Sequence, residues 1–558
     1  MRMRDALLAS VSLSFVLVAG ADPSRAQTAA ALTGQVTSAQ EGAMEGVLVT
    51  AKKAGSTVAI TVVSDKDGRY SFPASRLEPG EYAIKIRAVG YDLDGNGSAA
   101  VVADKAATFD IKLKKTANLS TQLTNQEWIN SMPGTPKQKD ALLNCVTCHT
   151  IERVVRSTHD VGEFMQIQAR MGTYANQSVP TRPQKRLAER LLEERGDARN
   201  TAQEERAEYL ASINLNERDT WSYQFKPNPR PSGRATKVII TEYDLPRKEI
   251  EPHDVIIGSD GMAWYTNFGE QNIGRVDPKT GEVTEINLPE LKKGWPQGSL
   301  AIHLDGQGNP WFGMMYQGAI GKFDMKTQKV ETFSLPPEMN KAMAQVNMVR
   351  PESSDVDGKV WSQNNGFAAI HRLDLKTGNI ETIAPFEAAA GRAGENHNIY
   401  DIVPDSKNNI YFTDFAQQHI GRVDAKTRQT TLFELPTKAS APRRGMMDAQ
   451  DRLWFGQYRG NKISMFDTKT EKFQEWQMPT PFESPYDVTV DKNGEAWTGS
   501  MLNDRISRLD PKTSTFVEYL LPRETNVRRV YVDNSTSPVT FWVGINHQGS
   551  IIKLEPLD

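Results

Sequence analysis

Cysteine is nearly missing from this chain, with two residues among 558. That excludes a disulfide-stapled scaffold and a four-thiolate zinc site. An excess of one charge is missing too. Against 66 lysines and arginines stand 69 acidic residues, which removes the electrostatic case for nucleic acid or an anionic membrane surface as partner. Beyond the N-terminus no stretch is long and apolar enough to span a bilayer, so no transmembrane segment is expected. At this length one core does not suffice, and roughly two to four domains are expected.

The two cysteines present stand together as Cys145-Val146-Thr147-Cys148-His149. C-x-x-C-H is the attachment pattern of a c-type haem: two thiols add across the vinyl groups, and the adjacent histidine becomes an axial iron ligand. The other readings of a CxxC pair are a redox dithiol or half of a zinc site. Zinc needs two further thiol or imidazole ligands nearby, and only His159 follows at short range. The motif predicts one covalent haem c, held by Cys145, Cys148 and His149.

At the start, Arg2 and Arg4 precede an apolar run from Ala6 to Gly20, and Ser24-Arg25-Ala26 offers a small-x-small cleavage site. This is the pattern of a cleaved secretory signal over 1–26, and it predicts a periplasmic protein. Cysteines reserved for haem fit that compartment.

From about 30 to 116 short alternating strands are broken by Gly and Asp turns, which predicts a small antiparallel β-sandwich. The turns are Asp65-Lys66-Asp67-Gly68 before Tyr70-Ser71-Phe72, Pro79-Gly80 before Tyr82, and Gly90-Tyr91. On these residues the segment resembles the carboxypeptidase regulatory-like (transthyretin-like) domain family, which implies an accessory or docking role.

From about 118 to 225 the pattern turns helical, as in an α-helical cytochrome c domain. Gln126–Ser131 and Pro136–Leu143 lead into the haem motif, and Gln184–Glu194 reads as an amphipathic helix with a solvated charged face. Glu204–Ile213 resembles the C-terminal helix of small cytochromes c, which implies an aromatic, Tyr209, packed on the haem edge. The second axial ligand is sought among Met165, Met171 and His159. Met171, just before a loop containing Pro180 and Pro183, is the favoured soft ligand.

From about 235 to 558 aromatic landmarks recur at Trp264, Trp311, Trp361, Tyr411, Trp454, Trp497 and Trp542, spaced 43 to 50 residues apart. Each follows a turn, and most precede an I-x-R strand such as Ile273-Gly274-Arg275. Seven repeats of four short strands predict a seven-bladed β-propeller. The last repeat lacks its terminal strand, and Val238–Pro246 carries that strand's Leu-Pro ending. The first strand is therefore expected to complete the last blade. The expected whole is multidomain and mainly β: sandwich, haem domain and propeller.

The repeats resemble the streptogramin B (virginiamycin B) lyase family. The resemblance implies elimination chemistry, with a histidine base beside magnesium held by carboxylates. Glu251-Pro252-His253 matches the family's E-x-H pairing, making Glu251 the candidate magnesium ligand and His253 the candidate base; His397 repeats the pattern. The second carboxylate belongs three residues after the landmark, where Asn267, Met314, Asn364, Asp414, Gln457, Ser500 and Ile545 stand. Only Asp414 is charged, which puts the magnesium site in doubt. A second slot, eleven residues before each landmark, holds His253, Leu300, Arg350, Tyr400, Arg443 and Tyr486, with Arg528 after a three-residue allowance. Such a funnel suits a small anionic or aromatic ligand. The leading expectation is a cytochrome fused to a ligand- or partner-binding propeller, exchanging electrons with a redox partner protein. The alternatives are a metal-assisted lyase with an accessory haem, and a non-catalytic sensor or scaffold.

Overall fold

The computed structural model describes residues 29–185, 196–215, 218–388 and 396–558. The expected signal segment and most of the Gln184–Glu194 helix lie outside these residues.

Strand-rich sequence from Val238 onward folds into six four-stranded antiparallel sheets plus a seventh that closes the ring. The seventh sheet takes Val527–Asp533, Thr540–Ile545 and Ser550–Pro556 from the C-terminus and Val238–Asp244 from the start, with Ile240 opposite Leu554. First strands of successive sheets neighbour one another around a closed circle. Pairing the first strand with the last leaves neither end of the ring as a bare edge.

The repeat pattern has a packing reason. Trp264, Trp311, Trp361, Trp454 and Trp497 are fully buried on the second strand of their sheets. Each such burial stabilises by about 2–3 kcal/mol. The indole N–H is satisfied by the preceding turn: Trp311, Trp454 and Trp497 donate to Asp305, Asp448 and Asp491 at 2.9, 2.9 and 3.0 Å. The arginine of the I-x-R strand then covers the ring, with Arg275 over Trp264 at 5.3 Å and Arg372 over Trp361 at 4.6 Å. In I-G-R copies the glycine makes room for an aromatic: a Cβ on Gly421 would lie 1.9 Å from the Phe412 ring.

The small β domain has its own core around Leu32, Val36, Phe72 and Tyr82. It is not a separate arm. Its strand Val58–Val63 pairs with Val238–Asp244, Thr61 facing Thr241's neighbour Ile240, so one eight-stranded sheet runs from the seventh blade into the domain.

The helical segment holds α1 (Asn125–Ser131), α2 (Pro136–Asp140), α3 (Ile151–Val155), α4 (Val161–Met171) and α5 (Gly196–Ile213). Pro136–Leu143, expected as one helix, is helical only to Asp140 and then turns into Cys145–Thr147. Capping boxes start three of the helices: Thr124 with Glu127, Thr135 with Gln138, and Asp160 with Glu163. Each cap contributes about 1 kcal/mol. Trp128, Leu142, Val146 and Leu210 share one core with Tyr458, Tyr486, Met501 and Leu502 of the propeller. The segment 227–233, which joins the helical part to the propeller, is pinned. Asn228 N donates to Glu127 Oε1 at 2.6 Å, Arg230 pairs with Glu41 at 2.6 Å, and Pro229 O accepts from Arg505 at 2.7 Å. No helix among the described residues is long and apolar enough to cross a membrane.

Candidate functional site

The C-x-x-C-H stretch lies against the mouth of the propeller, and the propeller holds it by its backbone. Tyr458 donates to Leu143 O at 2.6 Å and Asn526 to Val146 O at 2.9 Å. Thr147 O accepts from Arg528 at 2.8 Å and from His547 Nε2 at 2.9 Å. Burial pushes the His547 pKa down to about 3, so it donates as a neutral ring.

Between this stretch and the propeller lies a cavity of about 1260 Å³, large even for a cofactor site. Its walls bring together Cys145, Cys148, His149, His159 and Met171 from the helical segment. Pro180 and Pro183 of the following loop also line it, whereas Met165 packs into the core instead. Tyr209, expected against the same space, turns away: its ring packs on Gly134 and its hydroxyl donates to Pro133 O at 2.9 Å. The neighbouring Leu210 lines the cavity.

The donor set fits a c-type haem. Both cysteines are half-buried thiols on the wall. His149 places Nδ1 2.9 Å from Thr150 O, which fixes the proton there and leaves Nε2 as the basic nitrogen. Burial and the nearby Arg153 hold its pKa below the ordinary value, so the ring is neutral as a ligand must be.

Sheet register identifies the floor. Pro252 pairs with Asn267, Val346 with Asn364, Ile399 with Asp414, Pro442 with Gln457 and Val527 with Ile545. The next residue in these blades is His253, Asn347, Tyr400, Arg443 or Arg528; with Leu300 and Tyr486 of the other two blades, all but His253 line the cavity. Arg350 is thus not a funnel residue, because the third blade's hairpin holds the turns Pro351–Ser353 and Ser354–Asp357 and is three residues longer than assumed. Arg350 is buried, bound to Asp401 at 2.8 Å and Ile402 O at 2.5 Å, and Asn347 takes its slot on the cavity wall. A further set went unread in the sequence: the position four after the first four landmarks supplies Phe268, Met315, Asn365 and Phe415 to the same wall. These residues stand just past the end of the landmark strand, where the chain turns over the mouth of the propeller.

The residues matched to lyase chemistry lie elsewhere. His253 is fully buried behind Tyr486, whose hydroxyl is 3.4 Å from its Nε2, while Nδ1 donates to Asp254 at 2.7 Å. Burial lowers its pKa to about 3. Asp254 in turn holds Arg444 at 2.7 and 2.8 Å and Arg529 at 2.7 Å, and these two guanidiniums keep its carboxyl well below the usual range despite burial. The Glu251 carboxylate accepts from Asn546 at 3.2 Å, while its backbone N–H donates to Asn267 Oδ1 at 3.2 Å, and burial raises its pKa to about 8. The neighbouring acid Glu270 is held by Arg182 at 2.8 Å and Arg247 at 2.7 Å, which leaves Glu251 a single carboxyl, too few for a magnesium ion. Among the described residues no three His, Cys, Asp or Glu side chains converge to hold a metal ion. His397 donates to Asp414 at 2.7 Å and stacks on Phe386 at 3.7 Å, away from the cavity wall.

Comparison with known proteins bears on the two β parts. The model of the virginiamycin B lyase family matches residues 230–448 and 393–556, and that of the carboxypeptidase regulatory-like domain matches 31–114. Similar solved structures include selenomethionine-substituted virginiamycin B lyase from Staphylococcus aureus, at 22% identity and a TM-score of 0.48. It covers 57% of this chain and 99% of its own. A streptogramin B lyase aligns at 23% identity with a TM-score of 0.49, over 58% of this chain and 99% of its own. YCF48 from Cyanidioschyzon merolae aligns at 12% identity with a TM-score of 0.45, over 57% and 99%. No curated protein matches.

Proposed function

Because the chain belongs to the virginiamycin B lyase family through its propeller, we propose that it uses that scaffold to bind rather than to cleave, as the floor beneath a haem c joined to Cys145 and Cys148. The observation that carries this reading is convergence. Both thiols, the His149 imidazole, Met171 and the propeller residues Leu300, Asn347, Tyr400, Arg443, Tyr486 and Arg528 meet on one cavity.

When bound, a haem supplies one-electron chemistry. The chain's own residues do the rest. His149 offers Nε2 because Thr150 O occupies Nδ1. Met171 is the favoured sixth ligand, a soft donor on the same wall. Tyr458, Asn526, Arg528 and His547 fix the motif's carbonyls, so the thiols keep their position over the floor. On this reading the protein works in the periplasm, exchanging electrons with a redox partner or with a small molecule seated on the floor.

One observation favours a second reading, a non-catalytic scaffold or sensor. Beneath the floor the propeller axis is filled by buried ion pairs: Asp254 with Arg444 and Arg529, and Asp401 with Arg350. Each of these carboxylates is already taken by an arginine.

The test is covalent haem content. The full chain, produced with a haem-attachment system, is expected to keep its haem after denaturation. Cys145→Ser/Cys148→Ser is expected to lose it while keeping the wild-type β signal in circular dichroism. Wild-type chain free of haem under those conditions would sink the proposal. A haem whose midpoint potential no small molecule moves would favour the scaffold.

A further inference from the structure

The cavity is lined by five arginines, Arg153, Arg170, Arg206, Arg443 and Arg528, and among the described residues by no aspartate or glutamate. Arg153, Arg170 and Arg206 are exposed at the rim. Arg443 and Arg528 are 6% and 2% exposed, on the floor.

Arg443 is held by neutral groups only. Its guanidinium lies 3.7 Å from the Tyr486 ring centroid, 4.4 Å from Tyr458, 4.8 Å from Tyr400 and 5.1 Å from Phe415. It donates to Tyr400 Oη at 3.0 Å, and Nε and Nη1 have no hydrogen-bond partner. Arg528 donates to Asn526 Oδ1 and Thr147 O and lies 4.7 Å over Phe268. Deeper in the same propeller every buried arginine of the Asp254 and Asp401 clusters has its carboxylate. A buried cation is normally paired, since rings and neutral acceptors repay only part of its desolvation. The acid that acts on Arg528 is Glu251, which lies off the cavity wall and whose pKa burial raises to about 8; Arg443 is held by neutral groups, so the counter-charge for both in this anion-free cavity is left to its contents.

We propose that Arg443 and Arg528 form a carboxylate-binding floor, taking either the propionates of an attached haem or a diffusible organic carboxylate. The second source rests only on the geometry of the floor; the first rests also on the haem reading above. Guanidinium suits a carboxylate in shape as well as charge, and the surrounding rings leave the rest of the ligand an apolar face to lie on.

The test uses the full chain as purified, with haem content read independently from its visible spectrum. Benzoate and its neutral isostere benzamide are titrated by calorimetry into wild type, Arg443→Lys and Arg443→Met, each checked for wild-type circular dichroism. For a diffusible carboxylate, benzoate binds at least tenfold tighter than benzamide, Arg443→Met loses that preference, and Arg443→Lys keeps part of it. For propionates, a haem-loaded chain ignores benzoate, and its midpoint potential falls in Arg443→Met with partial recovery in Arg443→Lys. Equal or absent binding of the two probes overturns the proposal in a chain without haem. In a haem-loaded chain, that result together with an unchanged potential in Arg443→Met overturns it. Because haem content is measured separately, failure of the floor and failure of the haem reading give different results.

Discussion

At the residue scale, burial sets the behaviour of the groups below the cavity floor, and pH exposes it. Glu251 titrates at about 8 in the folded chain because burial outweighs Arg528, Arg182 and the Asn546 hydrogen bond. Unfolded, it titrates near 4.3. Above that value the unfolded chain binds fewer protons at this site than the folded one, so the site costs stability as pH rises from about 4.3 to about 8. Glu251→Gln keeps the amide contacts and removes the titration. It is expected to melt like wild type at pH 5 and to be more stable at pH 8, on the order of a few kcal/mol. Urea denaturation at the two pH values checks this; equal stability at both would show Glu251 ionised without penalty. His253 runs with the opposite sign. Its folded pKa of about 3 means it stabilises fully above its unfolded value near 6.5, and the contribution is lost as pH falls toward 3.

At the scale of the element, the blade is a strand pair locked over an aromatic. Gly421→Ala would drive a Cβ to 1.9 Å from the Phe412 ring, which shares one core with Ile402, Ile410 and Val423. The expected cost is about 1–3 kcal/mol, with a melting temperature several degrees lower in calorimetry. Gly378, beyond whose Cα the space is open but whose φ is +74°, strains its backbone on substitution without such a clash. The blades were legible in sequence because the landmark tryptophan, its turn aspartate and its covering arginine recur together. The funnel was only partly legible. A slot counted back from the landmark assumes one hairpin length, and the third blade's extra turn moved it from Arg350 to Asn347. The C-x-x-C-H motif could be read as chemistry, but not its docking. Leu143, Val146 and Thr147 are held through their carbonyls, and backbone acceptors carry no side-chain signature.

At the scale of the whole molecule, three segments act as one body. Val238–Asp244 is an interior strand, flanked by Ser550–Pro556 on one side and Val58–Val63 of the small β domain on the other. Sheet extension of this kind rests on ladder hydrogen bonds, which is why alternation, which predicted the small sandwich, did not show its junction with the propeller. A chain beginning at residue 118 would bare one edge of that strand. It is expected to self-associate at micromolar concentration, where the full chain does not change its light-scattering mass with concentration. A truncated chain as concentration-independent as the full one would contradict that role for Val58–Val63.

The central claim is that Cys145, Cys148, His149 and Met171 hold a haem c over the propeller floor. Its most direct measurement is the visible spectrum of the purified full chain, oxidised and reduced, with and without carbon monoxide. The account predicts a covalent haem whose reduced spectrum carbon monoxide leaves unchanged, because Met171 keeps the sixth position. In Met171→Ala it predicts a carbon monoxide complex. Absence of covalent haem in the wild-type chain would contradict the claim and leave the propeller to act alone.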